Sequence, residues 1–476
     1  MNSRREHFGS RAAVIMAMAG SAIGLGNIWR FPYIVGEYGG AAFVLAFVIC
    51  SIFISIPILL CESVIGRRSH QNTFGAMQTL APGTGWKWLG LLTVITPIII
   101  VSYYSVVGGW SIAYLFKALT FQFRPEDAES VSGIFGQFVS SALPPVLCHL
   151  LFIGICSLIV FLGVKKGIEK FSKTTMPVLF VLIVLIAVYS LTLPGSGEGV
   201  RYLLAPDFSK LTPKAWASAL GQSFFSLSLG VGTMLTYSSY VSSKEDLVLS
   251  GAGTALSDLV FAVLAGFAIM PAVFAGGITP GAGPGLVFET LPYIFAKMGD
   301  AAPVASAVVA VLFFLTILVA ALSSAISMVE VGVAYLSEEK GVSRGKATLG
   351  IFLFACILGI FCSLSFGPLS SFRILGNSLF DFCDKLCSNY LMVLGALLFS
   401  VFAGWKIKKE DFLDELSNSG SIKGRGVLNA TIYYLIKFVA PVAILLIFVL
   451  GLFGCFAEGM SQYIQDIAEN EYIVHD

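Results

Sequence analysis

Eleven stretches of about 20 or more predominantly apolar residues recur along the chain, near 12–36, 41–66, 88–118, 143–163, 173–193, 215–240, 248–276, 301–337, 346–365, 380–405 and 429–456. Hydrocarbon offers no partner to an open peptide N–H or C=O, so segments of this kind are confined to helices when they cross a bilayer. The pattern therefore predicts an all-α membrane protein with eleven transmembrane helices and the lipid bilayer as its solvent. Composition agrees, because 57% of the 476 residues are hydrophobic and only 12% charged, too few charges to cover a water-soluble surface. A segment near 281–298, broken by Gly and Pro, is too short to span and reads as a re-entrant or capping helix.

Lys and Arg fix the orientation. With the N-terminus inside, about 20 of the 29 basic residues fall in cytoplasmic segments, including Arg67, Arg68, Lys165, Lys166, Lys406, Lys408 and Lys409. That predicts a multi-pass protein of the cell (inner) membrane with a cytoplasmic N-terminus and a short external tail over 457–476. The net charge of +1, without a long basic run, argues against a nucleic-acid partner. The four histidines form no HExxH motif and no nucleophile–base pattern stands out, which argues against a membrane enzyme. Cys383 and Cys387, one helical turn apart, read as ordinary helix residues.

The first span holds the anomaly. "AGSAIGLGNIWRFPY" places Gly20, Gly24, Gly26, Asn27 and Arg30 inside an apolar segment. Glycines alone would make a packing face. An arginine at depth, however, costs a few kcal/mol or more unless it meets water or a partner. The sixth span repeats the pattern in "GQSFFSLSLGVGTMLTYSSY", with Ser226, Ser228, Gly230 and Gly232. If five spans repeat as a second five, the two interrupted spans hold matching places, and such a match points to a transporter site at a repeat interface. The expected halves are 12–193 and 215–405, with 429–456 an additional eleventh helix, all within one transporter domain over 1–456.

These residues carry a resemblance. "AMAGSAIGLGNIWRFPY", "GQSFFSLSLGVG", "LVLSGAGTALSD" and "ALSSAIS" resemble the neurotransmitter:sodium symporter family, most of all its bacterial amino-acid transporters, over about residues 4–456. The resemblance implies that the two halves form a five-plus-five inverted repeat, with alternating access and sodium-coupled uptake of an amino acid, and two Na⁺ sites. One would use Gly20, Ile23, Ala320, Ser323 and Ser324; the other Ala22, Asn27, Ser226 and Asp258, together with the substrate carboxylate. The Ser323–Ser324 pair could equally be back-bonded packing hydroxyls, and a shifted alignment would put Ser257 in place of Asp258. Hard Na⁺ suits such oxygen donors. Chloride-dependent members hold an anion partly with a serine at the position of Ala262; the fixed charge of Asp258 implies transport without chloride.

By family position the substrate pocket is lined by Ser21, Ala22, Leu25, Gly26, Ile100, Tyr104, Phe225, Ser226, Ser228, Val231, Ser324 and Met328. Monoamine carriers have an aspartate where this chain has Gly24, so the substrate should bring its own carboxylate. Val231 stands where a leucine-transporting member carries phenylalanine, which makes room for a large hydrophobic or aromatic side chain. The resemblance implies an outer gate of Arg30 with Asp381, Asp384 being the alternative one turn on, and an inner gate of Arg5 with Glu338. Glu62, a further acid inside a span, is expected to accept hydrogen bonds from peptide groups freed by unwinding, or to serve as a proton site. A channel is disfavoured by the two gates. A membrane sensor that binds an amino acid without moving it remains the competing function, and oligomeric state is not legible.

Overall fold

The computed structural model describes residues 7–123, 128–277, 286–299 and 302–449. Arg5, the far end of the 429–456 span and the 457–476 tail lie outside them, as does the start of the 281–298 segment, whose described part is helical over Leu286–Thr290 and Leu291–Met298. Among the described residues all regular structure is helical apart from one isolated bridge between Ile374 and Asn377.

The helices that frame the site are α1 (Arg11–Ala22), α2 (Gly26–Glu37), α3 (Ala41–Ser69), α4 (Lys87–Leu119), α5 (Leu143–Phe161), α6 (Val164–Leu191), α7 (Pro213–Ser226), α8 (Thr233–Ser238), α9 (Leu247–Ala275), α10 (Pro303–Glu339), α11 (Arg344–Leu364), α12 (Leu379–Lys406) and α13 (Gly426–Val449). Among the described residues, nine of these are long and apolar enough to cross a membrane, or ten when the bent pair α1–α2 counts as one span. Polar caps mark where helices begin. Ser10 accepts from the amide of Ala13, Thr212 from Ala215 and Asp246 from Leu249, each satisfying an N–H that has no partner inside its own helix.

Two interruptions decide the architecture. α1 ends at Ala22, where Ile23 turns extended (φ −71°, ψ 108°), and the chain resumes at Gly26 in a π-wound turn with a bend of 52°. α7 ends at Ser226 and α8 starts at Thr233, leaving 227–232 as turns. Within those turns Ser228, Gly230 and Gly232 all take left-handed φ, at +51°, +77° and +71°. Gly230 is irreplaceable on a second count, since a Cβ there would lie 2.8 Å from the amide of Ala396 on α12.

The remaining helices hold these breaks. α1 packs on α6, α9 and α10; α4 lies along α10 and crosses α5 and α11. The α4–α5 crossing is close because Gly109 brings its backbone against that of Cys148 and His149. α3 runs beside both α7 and α8, which carries Glu62 to the second interruption. All the described cysteines are unpaired.

Candidate functional site

The first interruption is met by oxygen. The hydroxyls of Ser323 and Ser324 on α10 donate to the carbonyl of Ile23 at 3.4 and 3.2 Å, and Ser323 also reaches the carbonyl of Ala320 at 2.8 Å. Gly20 faces the same place, since a Cβ on it would lie 3.6 Å from that of Ser323. Gly20, Ile23, Ala320, Ser323 and Ser324 are thus brought together as a cluster of carbonyl and hydroxyl oxygens. The donor set suits a hard monovalent cation.

A second cluster joins three helices. Asp258 on α9, 2% exposed, takes the hydroxyl of Ser226 at 2.8 Å and the side-chain amide of Asn27 at 2.8 Å. Asn27 also donates to Ser226 Oγ at 3.0 Å and turns its carbonyl oxygen to the amide of Gly24 at 3.1 Å. Ser226 is the last residue of α7 and Asn27 the second of α2, so the acid joins the end of one helix to the restart of another. A buried carboxylate held only by neutral donors is an uncompensated charge until a cation joins it. Ser257, the alternative ligand, instead back-bonds to the carbonyl of Gly253 at 2.8 Å.

Between the clusters lies a short polar wall. Tyr104 OH accepts from the amide of Leu25 at 3.1 Å and bonds Ser324; Ser228 donates to the carbonyl of Ser21 at 3.0 Å. Ile100, Val231 and Met328 are buried on α4, in the 227–232 turns and on α10. Phe225 packs over Gly26, where a Cβ would meet its ring at 2.8 Å. Two contributors were not singled out in the sequence. Ser327, one turn beyond Ser324, takes the Ser21 hydroxyl at 2.8 Å, and Gln222, one turn before Ser226, donates to the carbonyl of Gly26 at 2.8 Å. Helical spacing from the named serines is the signal that would have found both.

Arg30 stands over the ring of Phe225 at 4.8 Å. Asp381 and Asp384, both on α12, are the two candidate acids for it. Asp381 is exposed and folded into the α12 cap, accepting from the Ser378 hydroxyl at 2.7 Å. Asp384, one turn on, bonds Tyr103 and lies in the field of Arg30.

At the other end, Glu338 accepts from the backbone and side-chain amides of Asn72 at 2.9 and 3.0 Å; Arg5 lies outside the described residues. A nearby pair went unread in the sequence. Glu330, fully buried on α10, takes Arg344 at 2.5 Å and Tyr240 OH at 2.7 Å, which ties α10 to α11 and to the chain after α8. Glu62 does what its position suggested, accepting the amide of Gly230 at 2.7 Å inside the second interruption.

Broken helices whose freed peptide groups meet buried oxygens, inside a multi-pass apolar bundle, are the arrangement of a class of secondary transporters. The chain belongs to the sodium:neurotransmitter symporter family, whose model matches residues 5–130 and 143–472. It is 40% identical over 451 residues to the uncharacterized sodium-dependent transporter YhdH of Bacillus subtilis, covering 94% of this chain and 97% of that one. An uncharacterized sodium-dependent transporter of Haemophilus influenzae is 37% identical over 466 residues, covering 95% and 99%. Among solved structures, that of MhsT in complex with L-phenylalanine superposes with a TM-score of 0.86 at 41% identity, over 94% of this chain and 99% of that chain.

Proposed function

We propose that this protein is a symporter that imports a hydrophobic or aromatic L-amino acid with Na⁺ by alternating access, without a requirement for chloride. The observation that carries the proposal is the Asn27–Ser226–Asp258 cluster at the meeting of two helix ends. One Na⁺ would bind there beside the substrate carboxylate, with the Ala22 carbonyl as a further ligand. A second would bind among Gly20, Ile23, Ala320, Ser323 and Ser324. Each buried charge lowers the cost of burying the other, which couples ion to solute. Counting α7 and α8 as one interrupted span alongside α1–α2 gives eleven crossings. The five-plus-five inverted repeat over 12–193 and 215–405, an inside N-terminus and an outside C-terminus complete the reading.

Glycine at position 24 supplies no countercharge for an amine, and the pocket named from the family is apolar with a few hydroxyls, as a hydrophobic amino acid requires. Binding of L-phenylalanine by MhsT supports the aromatic end of the range. Arg30 and Asp384 would close the outer side above Phe225, and Glu338, Glu330 and Arg344 the inner side, with Arg5 a proposed partner of Glu338. The direct test is uptake of radiolabelled amino acids into proteoliposomes under an imposed Na⁺ gradient. Uptake that needs Na⁺ and survives replacement of chloride by gluconate is expected; a strict chloride requirement overturns that part.

Two substitutions probe the pocket. Val231→Phe should weaken uptake of tryptophan and tyrosine more than that of valine or leucine, and equal loss for all four contradicts the assignment. In Gly24→Ala the new Cβ would lie 2.8 Å from Tyr104 OH and closer still to Ser324 Oγ. Both hydroxyls must move off the peptide groups they hold, with apparent substrate affinity falling about tenfold in an equilibrium binding assay.

A further inference from the structure

The site above leaves one end of the bundle unaccounted for. Thr84 and Trp86, just before α4, and Trp88, Leu89 and Leu92, in its first turns, line an open groove of about 520 Å³ together with Leu398 of α12. Trp88 is 63% exposed. Trp86 packs edge-on against Phe402 at 5.1 Å, one turn beyond Leu398 on α12, and Trp405, a further turn on, is 53% exposed. Lysines stand on these exposed aromatic rings. Lys87 Nζ stands 5.5 Å over the Trp88 ring, and Lys437 Nζ stands 5.7 Å from Trp405 and 5.8 Å from Phe438. α13 comes this close because Gly404 has no side chain; a Cβ there would lie 3.0 Å from Lys437 Cα.

Lys406, Lys408 and Lys409 continue the rim, the last bonded to Tyr434 OH at 2.9 Å. The acids of the following helix, Lys409–Leu416, are largely engaged elsewhere. Asp411 pairs with Arg68 at 2.9 Å, Glu415 with Arg67, and Asp414 accepts from the Ser419 hydroxyl at 3.5 Å, with Glu410 next to Lys409 in the chain. An ammonium over a ring keeps N–H donors for an anion. Trp and Lys at this level are the residues that meet lipid headgroups.

We propose that this groove is a binding site for an anionic diacyl phospholipid of the adjoining leaflet. One acyl chain lies along Trp88, Leu92 and Leu398, and the phosphate sits between Lys87 and Lys437 with Lys406 at its edge. Apolar length and positive rim together favour a whole lipid over a soluble anion.

The test is native mass spectrometry of the full-length protein, released from micelles holding equal phosphatidylglycerol and phosphatidylcholine of matched acyl chains. Preferential retention of phosphatidylglycerol is expected, falling about fivefold for each lysine removed in Lys87→Gln and Lys437→Gln. Lys166→Gln, on α6, should leave it unchanged, and Trp88→Ala should lower retention of both lipids. Lys406→Gln, at an exposed position, gives the same reading should the double variant fail to accumulate. Equal retention of the two lipids by the native protein, or retention indifferent to the lysines, overturns the proposal. So does displacement by millimolar glycerol phosphate, which would mark a bare anion site, or a Trp88→Cys cross-link between two copies, which would mark a protein interface.

Discussion

Asp258→Ala is expected to abolish sodium-driven uptake while leaving the protein folded in the membrane. The carboxylate is buried, and its described partners, Asn27 and Ser226, are both neutral. Removing one partner of a buried charge pair costs about 3–5 kcal/mol, so apparent Na⁺ affinity should fall by about 10²–10⁴-fold. Asp258→Asn keeps the shape and loses the charge, and it should fail nearly as badly. Its rescue is the sharper reading. If Asp258 stands in for a bound anion, Asp258→Asn combined with Ala262→Ser should regain uptake only when chloride is present. Measuring initial rates against Na⁺ concentration, with chloride or gluconate, separates the cases. Full activity of Asp258→Asn in gluconate would remove the acid from the mechanism.

Glu62→Ala is expected to be the most damaging change away from the ion clusters. The amide of Gly230, in a stretch already held at φ +77°, donates to Glu62 Oε1 at 2.7 Å. Without that acceptor a buried N–H is left unpaired, at about 1–3 kcal/mol and more for a lost charged acceptor. Backbone freed from its helix survives in a membrane only where protein groups satisfy it. Alanine should therefore lower thermal stability in detergent and erase substrate binding together. Glu62→Gln keeps an acceptor oxygen, so most binding should return, and a structural role predicts an uptake pH profile like that of the native protein. A shifted profile would instead make Glu62 a proton site.

Much of the fold was legible because hydrocarbon allows so few options. Apolar stretches of spanning length could only be helices, and Gly20, Gly24 and Gly26 beside Asn27 and Arg30 made no sense in an unbroken one. The ion-site candidates followed from the same short motifs, and Asn27, Ser226 and Asp258 do meet. The outer gate was less legible. Asp381 and Asp384 lie one turn apart, and spacing alone does not disclose that Asp381 bonds the Ser378 cap while Asp384 bonds Tyr103. Ser327 and Gln222 were hidden by type, since polar residues of their size are common inside bundles and only the helix faces bring them to Ser21 and Gly26. Glu330 was visible as an acid within an apolar run, but its partner Arg344 follows the turn into the next helix, and spacing alone does not disclose that return.

The central claim is that Na⁺ and an amino acid are bound together where two helices come apart. Equilibrium binding of radiolabelled L-phenylalanine to the purified protein, in chloride-free sodium buffer and in choline at equal ionic strength, tests it most directly. Saturable binding in sodium that vanishes in choline is the predicted result. The same affinity in both buffers would contradict the account.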